Sequence, residues 1–295
     1  MSFNDNITLN TSGTRRGGGS RGIAVGGFSG VAIVGAIIFY LVTGQIPDLG
    51  AVYTAPVNPA YEDTDLAELC QTGEDANEHV ECRMIAGQNS LDEFWNAQLP
   101  YETGINHITP GLVLFSDSVQ TACGTGTSQI GPFYCPGDDT IYIDITFFEQ
   151  LEQLGADNAP LAQLYILAHE WAHHIQYQTG ILQQVDHNSS GPRSSMVRSE
   201  LQADCLAGVW IHHAATTIDP DTGIPFMREP TRAEIESALA AAEAVGDDRI
   251  YENAGMPVNP DNFSHGSAEK RLQWLSTGIT EGTMQACDTW SVVEP

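Results

Sequence analysis

Residues 167–180 read LAHEWAHHIQYQTG, and the segment His169-Glu170-Trp171-Ala172-His173 within them decides the fold. Two histidines stand four apart with a glutamate directly after the first. Residues at this spacing share one helix face, with Cβ atoms about 5–6 Å apart. The flanks favour a helix. Pro160 suits a first turn, Gly180 suits a stop, and Ile166, Leu167, Ala168 and Ile175 are apolar. A helix over 160–180 is therefore expected. Two imidazoles so placed can chelate one Zn²⁺, with bonds of about 2.0–2.1 Å. Glu170 then faces the same side without being a ligand, where a general base can take a proton from water. Composition alone would generate about 0.02 such motifs in a chain like this one.

A catalytic zinc takes three protein ligands and leaves a fourth position open. Glu200-Leu201-Gln202-Ala203-Asp204 offers two acids, again at i and i+4, on a second helix expected over 194–215. Glu200 is expected as the third ligand. Asp204 is expected to accept the N–H of a ligating histidine, fixing its tautomer. The competing reading is an exposed acidic helix face. His265, in Ser-His-Gly-Ser before a further helix, is a candidate to polarise a carbonyl or stabilise an oxyanion. The competing reading is a helix-entry histidine bonded to backbone. His174 points about 100° away from His173 and is expected in the core.

Outward from these helices, Ser90-Leu91-Asp92-Glu93 reads as a capping box opening a short helix to about Gln98, before Pro100. Gly111–Phe115 reads as a strand. Ile141, Ile143 and Ile145 alternate with polar residues, the pattern of a half-buried strand. Both strands are candidates to align an extended substrate by edge pairing. Helices are expected over 231–246, with Thr231 and Glu234 as capping box, and from Ser267 to Gly278. The class is α+β: a helix bearing HExxH packed beside a second ligand-bearing helix, with a small β-sheet.

The chain has 295 residues, 38 acids against 11 Lys and Arg, and a formal net charge of −27. Nucleic-acid binding needs a basic footprint and is excluded as an expectation. The charge is unevenly placed. Residues 1–44 carry net +2 and the remainder −29, and Gly22 to Gly44 carry none. Those 23 residues suffice to span a bilayer, since about 20 do. Arg15, Arg16 and Arg21 precede them, so the positive-inside rule puts the N-terminus in the cytoplasm. The expected organisation is a cytoplasmic arm over 1–21, a single transmembrane helix over 22–44, a Pro-rich linker over 45–65, and an extracytoplasmic domain over 66–295. A cleaved signal peptide is the alternative, although no strong cleavage site follows the apolar run.

Six cysteines, Cys70, Cys82, Cys123, Cys135, Cys205 and Cys287, agree with export and suggest disulfides. Fifteen connectivities are open in principle. Nearness in sequence suggests Cys70–Cys82 and Cys123–Cys135, leaving Cys205–Cys287.

The stretches CGTGTSQIGPFYCPGDDTIYIDITFF (123–148), LAHEWAHHIQYQTG (167–180), ELQADCLAGVW (200–210), SHGSAEKRLQWLSTG (264–278) and CDTW (287–290) together resemble the neutral zinc metallopeptidase family of membrane-anchored bacterial proteins. The resemblance implies a zincin-type fold and peptide-bond hydrolysis, with zinc on His169, His173 and Glu200. It also favours the pair Cys123–Cys135, whose members share one motif. The N-terminal arm and residues 181–195 and 216–263 match nothing diagnostic.

The resulting expectation is a membrane-anchored zinc endopeptidase acting on protein or peptide, with Glu170 as base. The rival is an exported, non-catalytic binding module stabilised by a closed zinc site of four protein ligands.

Overall fold

The computed structural model describes residues 2–17 and 66–295. The arm contributes β1 (Thr14–Arg16). Three helices follow, α1 (Leu66–Leu69), α2 (Gly73–Glu78) and α3 (Val80–Thr103). The β-rich part comprises β2 (Gly111–Phe115), β3 (Ser118–Thr121), β4 (Gly124–Thr127), β5 (Phe133–Cys135) and β6 (Thr140–Asp144). The helical part comprises α4 (Phe147–Gln153), α5 (Pro160–Gln178), α6 (Ser195–His213), α7 (Arg232–Ala244), α8 (Asp247–Asn253) and α9 (Ala268–Glu281).

One sheet runs in the order β1, β2, β6, β5, with the first three strands parallel and β5 antiparallel at the edge. β3 and β4 form a separate hairpin. All five residues of β6 are buried, so the expected half-buried strand is a central one. Its alternation remains meaningful. Ile141 and Ile143 face the main core, while Tyr142 packs with Val113, Phe115 and Val119 on the other side. Neither strand proposed as an edge is one, because β2 lies between β1 and β6, and β6 between β2 and β5. A sheet edge is instead offered by β5.

The short helix expected at 90–98 is the middle of α3. Ser90 is buried within it, and its hydroxyl accepts from Trp210 Nε1 (3.2 Å) rather than capping anything. Pro100 sits in the last turn, where the helix ends on Gly104 in the left-handed region (φ 75°). The other cap expectations hold at Thr231, whose capping box with Glu234 opens α7. Gly278 does not end α9, which runs to Glu281 and closes on Gly282. Gly278 is instead where α9 meets α6: a Cβ there would lie 1.9 Å from Cys205 O. Gly208 on α6 is its counterpart, a Cβ there falling 2.4 Å from Leu275 O. Only glycine permits backbones this close.

The arm is not a separate piece. Phe3 and Ile7 are each 1% exposed and belong to the main core. Asn4 N–H donates to Phe226 O (2.9 Å), Leu9 N–H to Gln71 O (3.0 Å), and β1 pairs along β2. Residues 2–17 thus pack into the same core as 66–295, the two stretches that the sequence reading set apart. The expected transmembrane helix (22–44) and linker (45–65) lie outside the described residues. Among the described residues, no helix is long and apolar enough to cross a membrane.

Three disulfides, Cys70–Cys82, Cys123–Cys135 and Cys205–Cys287, close the body. The last ties α6, one residue past Asp204, to the chain after α9.

Candidate metal centre

Helix α5 packs against α6, and α6 against α9. This arrangement carries HExxH, the acidic pair and Arg271 to one place. The nitrogens of His169 and His173 and a carboxylate oxygen of Glu200 all lie within 4.8 Å of one another. His169 Nε2 is 3.1 Å from Glu200 Oε2, and His173 Nε2 is 3.5 Å from Glu200 Oε1. Ligands bound tetrahedrally at about 2.0–2.1 Å stand about 3.4 Å apart, so these separations fit one zinc-sized ion.

The outer nitrogens settle which atoms face the middle of the cluster. His169 Nδ1 lies 2.8 Å from Asp204 Oδ1, and an ionised carboxylate only accepts, so Nδ1 carries the proton. His173 Nδ1 lies 2.9 Å from Gln176 Oε1. Gln176 cannot turn its amide round, because its Nε2 donates to Ser199 O (2.8 Å) and Gln202 Oε1 (3.0 Å). Both imidazoles therefore present Nε2 inward, as metal ligands must.

Asp204 is the hub behind His169. Arg271 Nε donates to its Oδ2 (2.8 Å) and Nη2 to its Oδ1 (2.9 Å), while Tyr165 Oη donates to Oδ1 (2.6 Å). Burial opposes the charge on Asp204, but Arg271 and His169 outweigh it and hold the carboxyl down at about 2. Burial likewise disfavours charge on His169, and Asp204 overrides it, pushing the imidazole up to about 10. His173 is raised against the same burial cost, chiefly by Glu200. Glu200 is held well below the usual carboxylate range despite burial, by His173 and then His265. The Glu200 carboxylate thus favours positive charge beside it, which in the absence of a metal is supplied by protons on the imidazoles.

His265 stands on the loop between α8 and α9. Asp247 Oδ2 accepts the backbone N–H of Ser264 (2.8 Å), His265 (2.8 Å) and Gly266 (2.9 Å) and fixes that loop. His265 Nδ1 faces Ser264 Oγ (3.0 Å) and Asp247 Oδ1 (3.4 Å), which leaves Nε2 for a ligand. His174 points away: Nδ1 meets Tyr134 Oη (3.0 Å), Nε2 meets Ile108 O (2.6 Å), and burial pulls its pKa down to about 4. His212 and His213, in the last turn of α6, bond carbonyls at the end of α9, Ile279 O and Gly282 O.

The cluster opens into a cleft of about 520 Å³. His169, Glu170, His173, Glu200 and His265 line it, as do the edge strand residues Phe133 and Tyr134. Sequence reasoning missed Arg271, Tyr165, Gln176 and Asp247. Tyr165 precedes His169 by one helical turn, and Gln176 follows His173 by three residues, so both carried a spacing signal. Arg271 and Asp247 carried none.

The fold and site define a mixed α+β protein with a possible His–His–Glu metal site on two adjacent helices. The family model described as "Putative neutral zinc metallopeptidase" matches residues 3–290, and the chain belongs to that family. The match includes the arm, which the sequence motifs had left out. The chain is 43% identical over 231 residues to an uncharacterized Mycobacterium tuberculosis protein, covering 78% of this chain and 77% of that one. It is 37% identical over 207 residues to the uncharacterized protein YpfJ of Escherichia coli K12, covering 68% of each. No solved structure matches significantly.

Proposed function

We propose that this chain is a zincin-like endopeptidase that uses zinc to hydrolyse peptide bonds, with His169, His173 and Glu200 as metal ligands. The observation that carries this reading is the placement of Glu170 in the same cleft as a three-ligand cluster. Among the described residues, no fourth histidine, cysteine, aspartate or glutamate joins that cluster. A closed structural site would need one, so the cleft favours hydrolysis over the zinc-stabilised binding module.

Zinc, when bound, would supply a Lewis acid for the water and the scissile carbonyl. The remaining roles fall to the chain. Glu170 takes the proton from the attacking water and delivers it to the leaving amine. Asp204 holds His169 in the Nδ1–H tautomer, and Gln176 does the same for His173. His265 Nε2 is placed to donate to the developing oxyanion. The open edge of β5 can align an extended peptide.

The disulfides support export of the body. Residues 2–17 share its core, and a hydrocarbon layer is about 30 Å thick. This packing supports placing arm and body together on the exported side, instead of an arm left in the cytoplasm.

The direct test compares zinc-loaded wild type with Glu170→Gln on a peptide library. The variant should keep its zinc and lose cleavage by at least about a hundredfold. Cleavage at the wild-type rate by Glu170→Gln would remove the mechanism.

A further inference from the structure

Two buried amides form a line from the metal cluster to the chain after α9. His173 Nδ1 donates to Gln176 Oε1 (2.9 Å), Gln176 Nε2 to Gln202 Oε1 (3.0 Å), and Gln202 Nε2 to Cys287 O (3.1 Å). Two further contacts flank the line. Gln176 Nε2 also donates to Ser199 O (2.8 Å), and Trp290 Nε1 donates to Gln202 Oε1 (3.4 Å). Gln176 is 0% and Gln202 6% exposed, so water offers neither amide an alternative partner.

The groups at the edges of this line have no choice of role. A backbone carbonyl only accepts, and an indole N–H only donates. Cys287 O therefore takes the nitrogen of Gln202, and Trp290 takes its oxygen. That oxygen in turn takes the nitrogen of Gln176, which leaves Gln176 Oε1 for His173. Turning both amides round would set oxygen against Ser199 O and Cys287 O, and nitrogen against the Trp290 indole. It would also face His173 Nδ1 with an N–H, driving the imidazole proton to Nε2, the atom a metal needs free. Mismatches this deeply buried are not relieved by solvent. The anchoring segment is itself fixed to α6, by the Cys205–Cys287 disulfide and by Thr289 Oγ1, which donates to Arg198 O (2.7 Å).

We propose that Gln202 is a positioning residue for His173, acting through Gln176 and held in its sense by Cys287 O and Trp290. The proposal rests on His173 being a ligand, as in the reading above. It gives the chain after α9 a part in metal binding without any contact to the metal.

The test measures zinc affinity of the full chain by competition with a chromophoric chelator, for wild type, Gln176→Met, Gln202→Met and the double variant. Gln176→Met should weaken zinc binding about 10- to 100-fold. Gln202→Met removes no ligand and should weaken it about 3- to 10-fold. In the Gln176→Met background it should add nothing, because the path is already cut. Thermal unfolding of the zinc-free proteins reads the structural cost separately, and Gln202→Met should lose stability in both backgrounds. Trp290→Phe, at a half-buried position, keeps the test open if Gln202→Met does not fold. It should weaken zinc about two- to threefold, and only where Gln176 is present. Unchanged affinity in Gln202→Met, or in Trp290→Phe where that is the variant that folds, would overturn the relay. So would losses that multiply in the double variant, which would make Gln202 a structural residue alone. Wild type without zinc affinity would overturn the ligand assignment and the relay with it. The expected losses in a wild type that cleaves no peptide would overturn the peptidase reading and keep the relay.

Discussion

Arg271 grips both oxygens of Asp204, with Nε 2.8 Å from Oδ2 and Nη2 2.9 Å from Oδ1. The two residues lie 67 positions apart and are 4% and 0% exposed. Removing one partner of a buried ion pair strands the other charge, at a cost of about 3–5 kcal/mol. Arg271→Met should therefore lower unfolding stability by about that much in a denaturant titration. Asp204→Asn placed on top of it should return part of the loss, because the stranded carboxylate is gone. A double variant no more stable than Arg271→Met would mean the loss comes from packing instead. Asp204→Asn alone should weaken zinc binding about 10- to 100-fold through His169.

Asp247 plays a different part, holding a loop in place. One fully buried oxygen accepts three consecutive N–H groups and so sets where His265 stands. Asp247→Ala leaves those donors unpaired and should cost about 2–4 kcal/mol by thermal or chemical unfolding. Peptide cleavage should fall in kcat more than in KM, with zinc content unchanged because no ligand is touched. Asp247→Asn keeps an oxygen for the loop and should retain most of both. A loss of zinc in either variant would place Asp247 in the metal site rather than behind His265.

The same contrast explains what the sequence made legible. His169, Glu170 and His173 were readable because helical spacing itself makes the chemistry, and Glu200 and Asp204 repeat that spacing. Tyr165 and Gln176 obey it too, but their roles depend on what α6 and α9 bring to them. Arg271 and Asp247 act across 67 and about 18 residues through single contacts, which no local pattern encodes. Gly278 misled for a physical reason: a glycine inside a helix is an equally good stop or close-contact point, and only the α6 backbone decides. The packing of the arm was not legible because Phe3 and Ile7 are too few to announce a core element.

Metal loading should release protons, and the sign follows from the charged histidine. Without metal, His169 is raised from 6.5 to about 10, so at pH 7 its site nitrogen carries a proton. Zinc needs that nitrogen free. Affinity should therefore rise with pH from neutrality to about 10 and fall as pH drops, by about tenfold per unit for each proton released. Calorimetric titration with zinc at pH 7, repeated in buffers of different ionisation enthalpy, counts those protons. At least one per zinc is expected. A count of zero would show that His169 is neutral in the free protein and that Asp204 does not charge it.

The buried arm makes the strongest demand on topology. Phe3, Ile7 and Leu9 occupy the core that contains Trp171 of α5 and Trp210 of α6. A chain crossing a bilayer once between residues 17 and 66 would pull those side chains out and open the core behind α2. Burying each of them contributes about 1.5–3 kcal/mol. Arm and body should therefore report the same compartment. Single cysteines at the exposed positions Asn6→Cys and Gln273→Cys, probed in intact cells with a membrane-impermeant maleimide, read this directly. Equal labelling of both before lysis is the expected outcome. Labelling of Gln273→Cys before lysis and of Asn6→Cys only afterwards would restore the single crossing, and the arm's packing would then have to be given up. Asn6→Cys lies beside the buried Ile7, so a variant Ile7→Asp supplies the energetic counterpart. If the arm belongs to the body, an acid at that position should destabilise 66–295 by several kcal/mol, the cost of a buried, unpaired charge.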